Sequence, residues 1–265
     1  MLNPQTNTVA VWNNVWAGET VTAQQILDVM LEQEADRSWQ RYTKLVEEHL
    51  GGWARVRAIE VGGGASTHSL LAASKGASAT VLDYSPEALR VVEARCRALG
   101  VTATLIEADA MALPAGLTGT FNLAWSFGTA EHFKGADRAG FIKAHADLVE
   151  PGGLIVLAVP NKWAVNYRVW MYLANIVGEW PFGLEIPFSR RELKNVIREL
   201  GLQLLACDYE TGRPCSHKTL GIIRRHWHAL YPLAKGLRFL SGRIPQPVLE
   251  RVNRRGLIAI ARKTL

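Results

Sequence analysis

Apolar residues along this chain fall into short runs separated by longer amphipathic stretches. Runs near 56–61, 79–83, 102–107, 121–126 and 153–159 predict strands, and the stretches near 66–76, 86–99 and 137–149 predict helices. That alternation implies a parallel sheet with right-handed crossovers. The helix at 86–99 has explicit start signals: Ser85 as cap, Pro86 in the first turn and Glu87 near the positive end. A helix at about 189–200 precedes a sixth strand at 202–207, and 256–261 reads as the last strand. Ahead of the first strand, 22–50 reads as helical, with Ile26, Leu27, Met30 and Leu31 at 3–4 spacing.

The chemistry concentrates where the first strand ends. Arg57-Ala58-Ile59-Glu60-Val61-Gly62-Gly63-Gly64-Ala65-Ser66-Thr67 is an apolar strand tipped by an acid, a triple-glycine turn and a helix start. Glycines let backbone come within contact distance of a ligand, and the helix points free N–H groups back at the turn. The dinucleotide fingerprint G-x-G-x-x-G needs glycine where this chain has Thr67. A pyrophosphate beside Glu60 would also set two anions in one pocket. A ligand carrying positive charge suits that carboxylate; S-adenosylmethionine, with its sulfonium and ammonium groups, is one.

Further acids stand at strand tips. Ala79-Thr80-Val81-Leu82-Asp83-Tyr84 ends 19 residues past Gly64 in an acid able to accept both ribose hydroxyls. Thr104-Leu105-Ile106-Glu107-Ala108-Asp109-Ala110 closes the third run. Phe121-Asn122-Leu123-Ala124-Trp125-Ser126-Phe127-Gly128 is followed by Glu131-His132, and Glu150-Pro151-Gly152-Gly153 feeds a fifth run ending Pro160-Asn161.

In this order, these segments resemble the motifs of the class I S-adenosylmethionine-dependent methyltransferases. Motif I, Asp/Glu-x-Gly-x-Gly-x-Gly, is matched at Glu60, Gly62 and Gly64, with Ser66 in place of the third glycine, a residue that serves well as a helix N-cap. The resemblance covers about 55–161 well and 189–208 less closely. It is similar to the small-molecule type-11/type-23 group, which includes quinone-biosynthesis O-methyltransferases. It implies a Rossmann-like α/β fold: a seven-stranded, mostly parallel sheet with an antiparallel last strand and helices on both faces. It also implies S-adenosylmethionine as cofactor. Glu60 would face the methionine part, with Gly62, Gly63 and Gly64 beneath it. Asp83 would hold the ribose, Tyr84 would pack on adenine, and Asp109 with Ala110 would hold that base, with Ser126 and Phe127 alongside. His132 is the candidate general base for a hydroxyl acceptor, with Glu131 orienting it; the opposing reading is a histidine that shapes its loop.

Residues 1–54 form a helical preface to a methyltransferase domain at 55–265. Its Trp12 and Trp16 either cover the cofactor or pack the preface onto the domain. Two insertions, about 162–188 and 210–255, are read as a substrate lid. The first holds Trp163, Tyr167, Trp170, Tyr172, Trp180 and Phe182. That richness suits an apolar or ring-containing acceptor, or else a satellite cluster. His217, His226 and His228 lie in the second.

Composition narrows the alternatives. The 265 residues are 48% hydrophobic and 20% charged, and no apolar run reaches membrane-span length. Three cysteines, Cys96, Cys207 and Cys215, without Cys-x-x-Cys spacing suggest neither a disulfide framework nor a metal site; with no secretory signal at the start, a cytoplasmic location is expected. Residues 1–160 carry 12 Lys and Arg against 17 Asp and Glu, whereas 161–265 carry 18 against 7. Within 219–243, Ile223, Trp227, Leu230 and Tyr231 form one helical face with Arg224, Arg225 and His228 mostly away from it. That fits a lid packed inward or a peripheral membrane contact. No recognisable RNA-binding module accompanies the basic residues, so nucleic acid is not expected as a partner. A cofactor-binding subunit without turnover and a membrane-docked lipid or quinone methyltransferase are the remaining alternatives. Neither the acceptor atom nor the oligomeric state is legible.

Overall fold

The computed structural model describes residues 8–19, 22–211, 216–241 and 254–264. The preface folds as α1 (Val9–Trp16), α2 (Ala23–Glu34) and α3 (Arg37–Leu50). The single helix expected over 22–50 is therefore two. The break lets Ile26 and Met30 of α2 and Tyr42 and Val46 of α3 all reach one core, where they meet Trp39 and Trp53. Leu27 and Leu31, read as part of that apolar face, are exposed.

Among the described residues, seven strands form one sheet in the order β3-β2-β1-β4-β5-β7-β6. They are β1 (Arg57–Val61), β2 (Ser78–Asp83), β3 (Thr104–Glu107), β4 (Phe121–Phe127), β5 (Val149–Pro160), β6 (Gln203–Thr211) and β7 (Arg254–Arg262). All run parallel except β7, which is antiparallel to both β5 and β6. Side chains alternate across the sheet with period two. Ile155, Leu157 and Val159 of β5 join the core beneath α6 (Ala136–Leu148) and α8 (Arg190–Glu199). Leu154, Val156 and Ala158 join the opposite core with the preface and α4 (Thr67–Ser74). Helices thus cover both faces, which a parallel sheet requires.

Local signals set the bounds of α5 (Pro86–Leu99), which match the sequence expectation. The Ala88 N–H donates to Ser85 Oγ at 3.2 Å, and Gly100 closes the helix in the left-handed region at φ 65°.

The insertions pack on each other. The first holds α7 (Val165–Ile176); the second holds α9 (Ser216–His226) and α10 (Tyr231–Ser241). Tyr167, Trp170, Ala174 and Trp180 form a satellite cluster with Ile222 of α9. The expected helical face over Ile223, Trp227, Leu230 and Tyr231 is interrupted. Helix α9 stops at His226, a single 3-10 turn follows, and Leu230 is exposed while Leu220 and Ile222 are buried. Residues 242–243 and Cys215 lie outside the described residues. No described helix is long and apolar enough to cross a membrane.

Candidate active site

The carboxyl ends of β1, β2 and β4 open into a cavity of about 630 Å³, where an open α/β sheet places its ligand crevice. Glu60 stands near the tip of β1, buried to 3% exposure, and its Oε2 accepts the Ser69 N–H at 3.2 Å. Burial pushes its pKa up to about 8, the Ser69 bonds oppose that rise, and Asp83 adds to it. Among the described residues no lysine or arginine contributes to the shift. A buried carboxyl with no basic partner among the described residues, beside a cradle of glycines, fits a ligand that brings its own positive charge and displaces the proton.

The glycine bend is shaped by its neighbours. Gly62 has φ 68°, and the Thr129 side chain occupies the space a Cβ would need. Gly64, at φ 48°, lies under the Trp16 indole, and its N–H donates to Asp83 Oδ2 at 3.1 Å. Asp83 Oδ1 accepts the Ser85 N–H at 2.9 Å. Burial raises the Asp83 pKa, and the N–H donors of Ser85, Gly64 and Tyr84 hold it back. Each Asp83 oxygen retains acceptor capacity for a hydroxyl. Asp109 Oδ1 takes the Met111 N–H at 2.8 Å and, with Ala110 and Tyr84, lines the far side. Ser66 corrects one expectation. It holds the N-cap position of α4 but caps nothing with its side chain; its backbone is left-handed at φ 48° and its Oγ donates to the Gly63 carbonyl at 3.1 Å.

Of the residues singled out from sequence, Glu60, Gly62, Gly63, Gly64, Asp83, Tyr84, Asp109, Ala110, Phe127 and His132 line this one cavity. Ser126 and Glu131 do not. Ser126 is fully buried, with no partner for its Oγ. Glu131 is buried beside Gly128; burial raises its pKa, Glu185 raises it further, and Arg138 opposes. Its main-chain carbonyl accepts the Ile186 N–H at 2.8 Å.

His132 Nδ1 lies 2.7 Å from the Leu184 carbonyl, and its ring meets Trp12 edge-on at 4.7 Å. Burial lowers its pKa to about 4 against the pull of the Leu184 and Gly128 carbonyls, so the ring is neutral at pH 7. Arg138 donates to the Ile186 carbonyl at 2.8 Å. Residues 184–186 are therefore tied down from Glu131, His132 and Arg138.

Several lining residues carried no sequence signal. His68, in the first turn of α4, stacks on Phe127 at 3.5 Å, and burial lowers its pKa to about 3. Met111, Phe133, Phe141, Leu184 and Ile186 add apolar surface to the lining, and Lys134 and Asp137 add charge. From the first insertion only Leu184 and Ile186 reach the cavity, and its aromatic residues do not. Described residues of the second insertion contribute nothing to the lining. His226 instead pairs with Glu179 at 2.7 Å.

Helix α1 roofs the cavity through Trp12 and Trp16. Asn13 Oδ1 accepts the Ser85 hydroxyl at 2.7 Å, and Glu19 pairs with Arg95 at 2.7 Å. Arg95 also donates to the Ala65 carbonyl at 3.1 Å, which ties the roof to the glycine bend.

Comparison with known proteins bears on the family and the fold. Residues 58–153 match the family model described as "Methyltransferase domain". The chain is 32% identical over 169 residues to a ubiquinone biosynthesis O-methyltransferase of Ralstonia nicotianae, covering 60% of this chain and 70% of that protein. A protein of the same name from Methylococcus capsulatus is 28% identical over 152 residues, and the match spans 57% of this chain and 61% of the relative's length. Among solved structures, a magnesium protoporphyrin IX methyltransferase from Synechocystis PCC 6803 with bound SAH superposes with TM-score 0.58 at 14% identity. That match covers 96% of this chain and 93% of the other.

Proposed function

The chain belongs to the class I S-adenosylmethionine-dependent methyltransferases, and we propose that it methylates a small, apolar or ring-bearing acceptor. The carrying observation is the buried Glu60 carboxyl, with no cation beside it among the described residues, next to the Gly62–Gly64 bend. In this reading Glu60 takes the ammonium side of the cofactor, Asp83 the ribose hydroxyls, and Asp109 with Ala110 the adenine edge. When bound, the cofactor supplies an electrophilic methyl group on a sulfonium, and its displacement needs no acid on the leaving group.

The protein's contribution is then alignment and exclusion of water. Trp12, Phe133, Leu184 and Ile186 bring apolar surface to the lining, beside the charged Lys134 and Asp137, which supports an acceptor with a ring or hydrocarbon body and a polar group. His132 holds Leu184 in that wall. With its pKa near 4 the imidazole is a weak base, so a hydroxyl acceptor acidic enough to arrive ionised suits this site best. The buried free thiols Cys96 and Cys207 support a reducing, cytoplasmic setting.

The test is turnover. Incubation with methyl-labelled S-adenosylmethionine and a fractionated cell extract yields S-adenosylhomocysteine and a labelled small molecule in stoichiometric amounts. Cofactor binding without any product in any fraction overturns the catalytic reading and favours a non-catalytic subunit.

A further inference from the structure

Helix α7 is apolar on two opposite faces. Tyr167, Trp170 and Ala174 bury one face in the satellite cluster. Val165, Val169, Tyr172 and Ile176, spaced four, three and four residues apart, form a single stripe on the other. All four are exposed, Tyr172 to 62%. A helix that is apolar all round normally has both faces covered. The second insertion also exposes apolar side chains: Leu230, in the 3-10 turn, and Leu233 and Leu237 of α10 are exposed at three- and four-residue spacing, Leu233 to 65%.

Charge identifies what covers them. Residues 162–176 and 216–241 hold seven Lys and Arg and no Asp or Glu. The nearby acid Glu179 is bound to Arg225 and His226. A second copy of this surface would bring cations against cations. Apolar stripes set among cations match the interface of an anionic bilayer, where side chains enter the acyl boundary and Lys and Arg stay at the headgroups.

We propose that the exposed faces of α7 and α10 dock the protein on anionic lipid membranes. The proposal differs from the 219–243 contact expected from sequence, because it adds the exposed stripe of α7. Docking requires no methyl transfer, so it stands or falls apart from the proposed function. The first insertion also ends in Leu184 and Ile186, which line the cavity, so one segment joins the docking face to the acceptor wall.

Vesicle sedimentation tests this with the full chain. Phosphatidylcholine vesicles containing phosphatidylglycerol pellet the protein at low salt, pure phosphatidylcholine vesicles do not, and high salt releases it. The double variant Val169→Asp/Tyr172→Asp keeps its thermal melt and cofactor affinity, because neither residue touches core or cavity, and its vesicle partitioning drops at least about tenfold. Leu233→Asp gives an independent second reading with the same direction. Absence of pelleting with anionic vesicles at low salt, or undiminished pelleting of both variants, overturns the proposal. So does a solution dimer of the parent that the double variant splits, since the stripe would then be a self-association face.

Discussion

Trp16 rests on Gly64: a Cβ at position 64 would stand 2.5 Å from Cζ2 of the indole. The roof helix and the glycine bend are fitted to each other, and the cavity lies in the same place. Gly64→Ala both strains a left-handed backbone and displaces the ring. It is expected to cost about 1–3 kcal/mol of stability and to weaken cofactor binding at least about tenfold. Trp16→Ala, on a helix with no buried residue, leaves stability within about 1 kcal/mol and still weakens binding. Thermal melts and cofactor titrations read both; a Gly64→Ala protein that binds like the parent refutes the fit.

Ser66 makes an unusual comparison possible. A left-handed non-glycine residue costs about 1–2 kcal/mol, and its Oγ bond to the Gly63 carbonyl returns about 1 kcal/mol. Ser66→Gly is therefore near neutral, whereas Ser66→Ala loses the bond and keeps the strain. Urea unfolding should place the alanine variant about 1 kcal/mol below the glycine variant, the reverse of their helix-interior order. An alanine variant equal to or above glycine contradicts the account.

His132 ties the loop at Leu184 to the 3-10 turn after β4. His132→Ala leaves the Leu184 carbonyl without that donor, at a cost of about 1–3 kcal/mol. Because the imidazole is neutral from pH 8 down toward about 4, activity on an acceptor should show no step near pH 6.5 that belongs to this residue. A step at that pH, abolished in His132→Gln, would make His132 a general base with an ordinary pKa.

The sheet and most of the cavity lining near the strand tips were legible because their signals are local. Ser85, Pro86 and Gly100 mark α5, and Glu60, Asp83 and Asp109 stand at or beside strand tips that the apolar runs define. What could not be read is non-local. Helix α1 carries no strong start signal and its Thr8 cap makes no side-chain bond, yet it roofs the cavity. The aromatic residues of the first insertion are open to two readings, an acceptor wall or a satellite cluster, and packing against α9 draws Tyr167, Trp170 and Trp180 into the cluster. Leu184 and Ile186 line the cavity instead, through bonds to residues about 50 positions away that no spacing encodes. Ser126 alternates into the sheet while Phe127 emerges at its end, a one-residue distinction that a motif cannot make.

Stability should also respond to the buried acids. Glu60 and Glu185, raised by burial to about 8 and about 7, hold protons in the folded protein that the unfolded chain has lost above pH 4.5. Their contribution is therefore full at low pH and is lost as pH rises through about 7–8. The ligand-free melting temperature should fall between pH 6.5 and 8.5, and Glu60→Gln should flatten part of that fall. A melting temperature that climbs across this window contradicts the burial of these carboxyls.

Calorimetry of S-adenosylmethionine binding, run across pH in two buffers of different ionisation heat, probes Glu60 most directly. With a free-protein pKa of about 8, Glu60 is about nine-tenths protonated at pH 7. Binding a cation there releases close to one proton, and affinity climbs by up to about tenfold per pH unit below pH 8 before levelling. Glu60→Gln removes both the proton release and the slope. Heat that is identical in the two buffers with a pH-independent affinity, or no heat at all while a phosphate-bearing dinucleotide saturates the cavity, would contradict a site built around a carboxylate for a cationic sulfur donor.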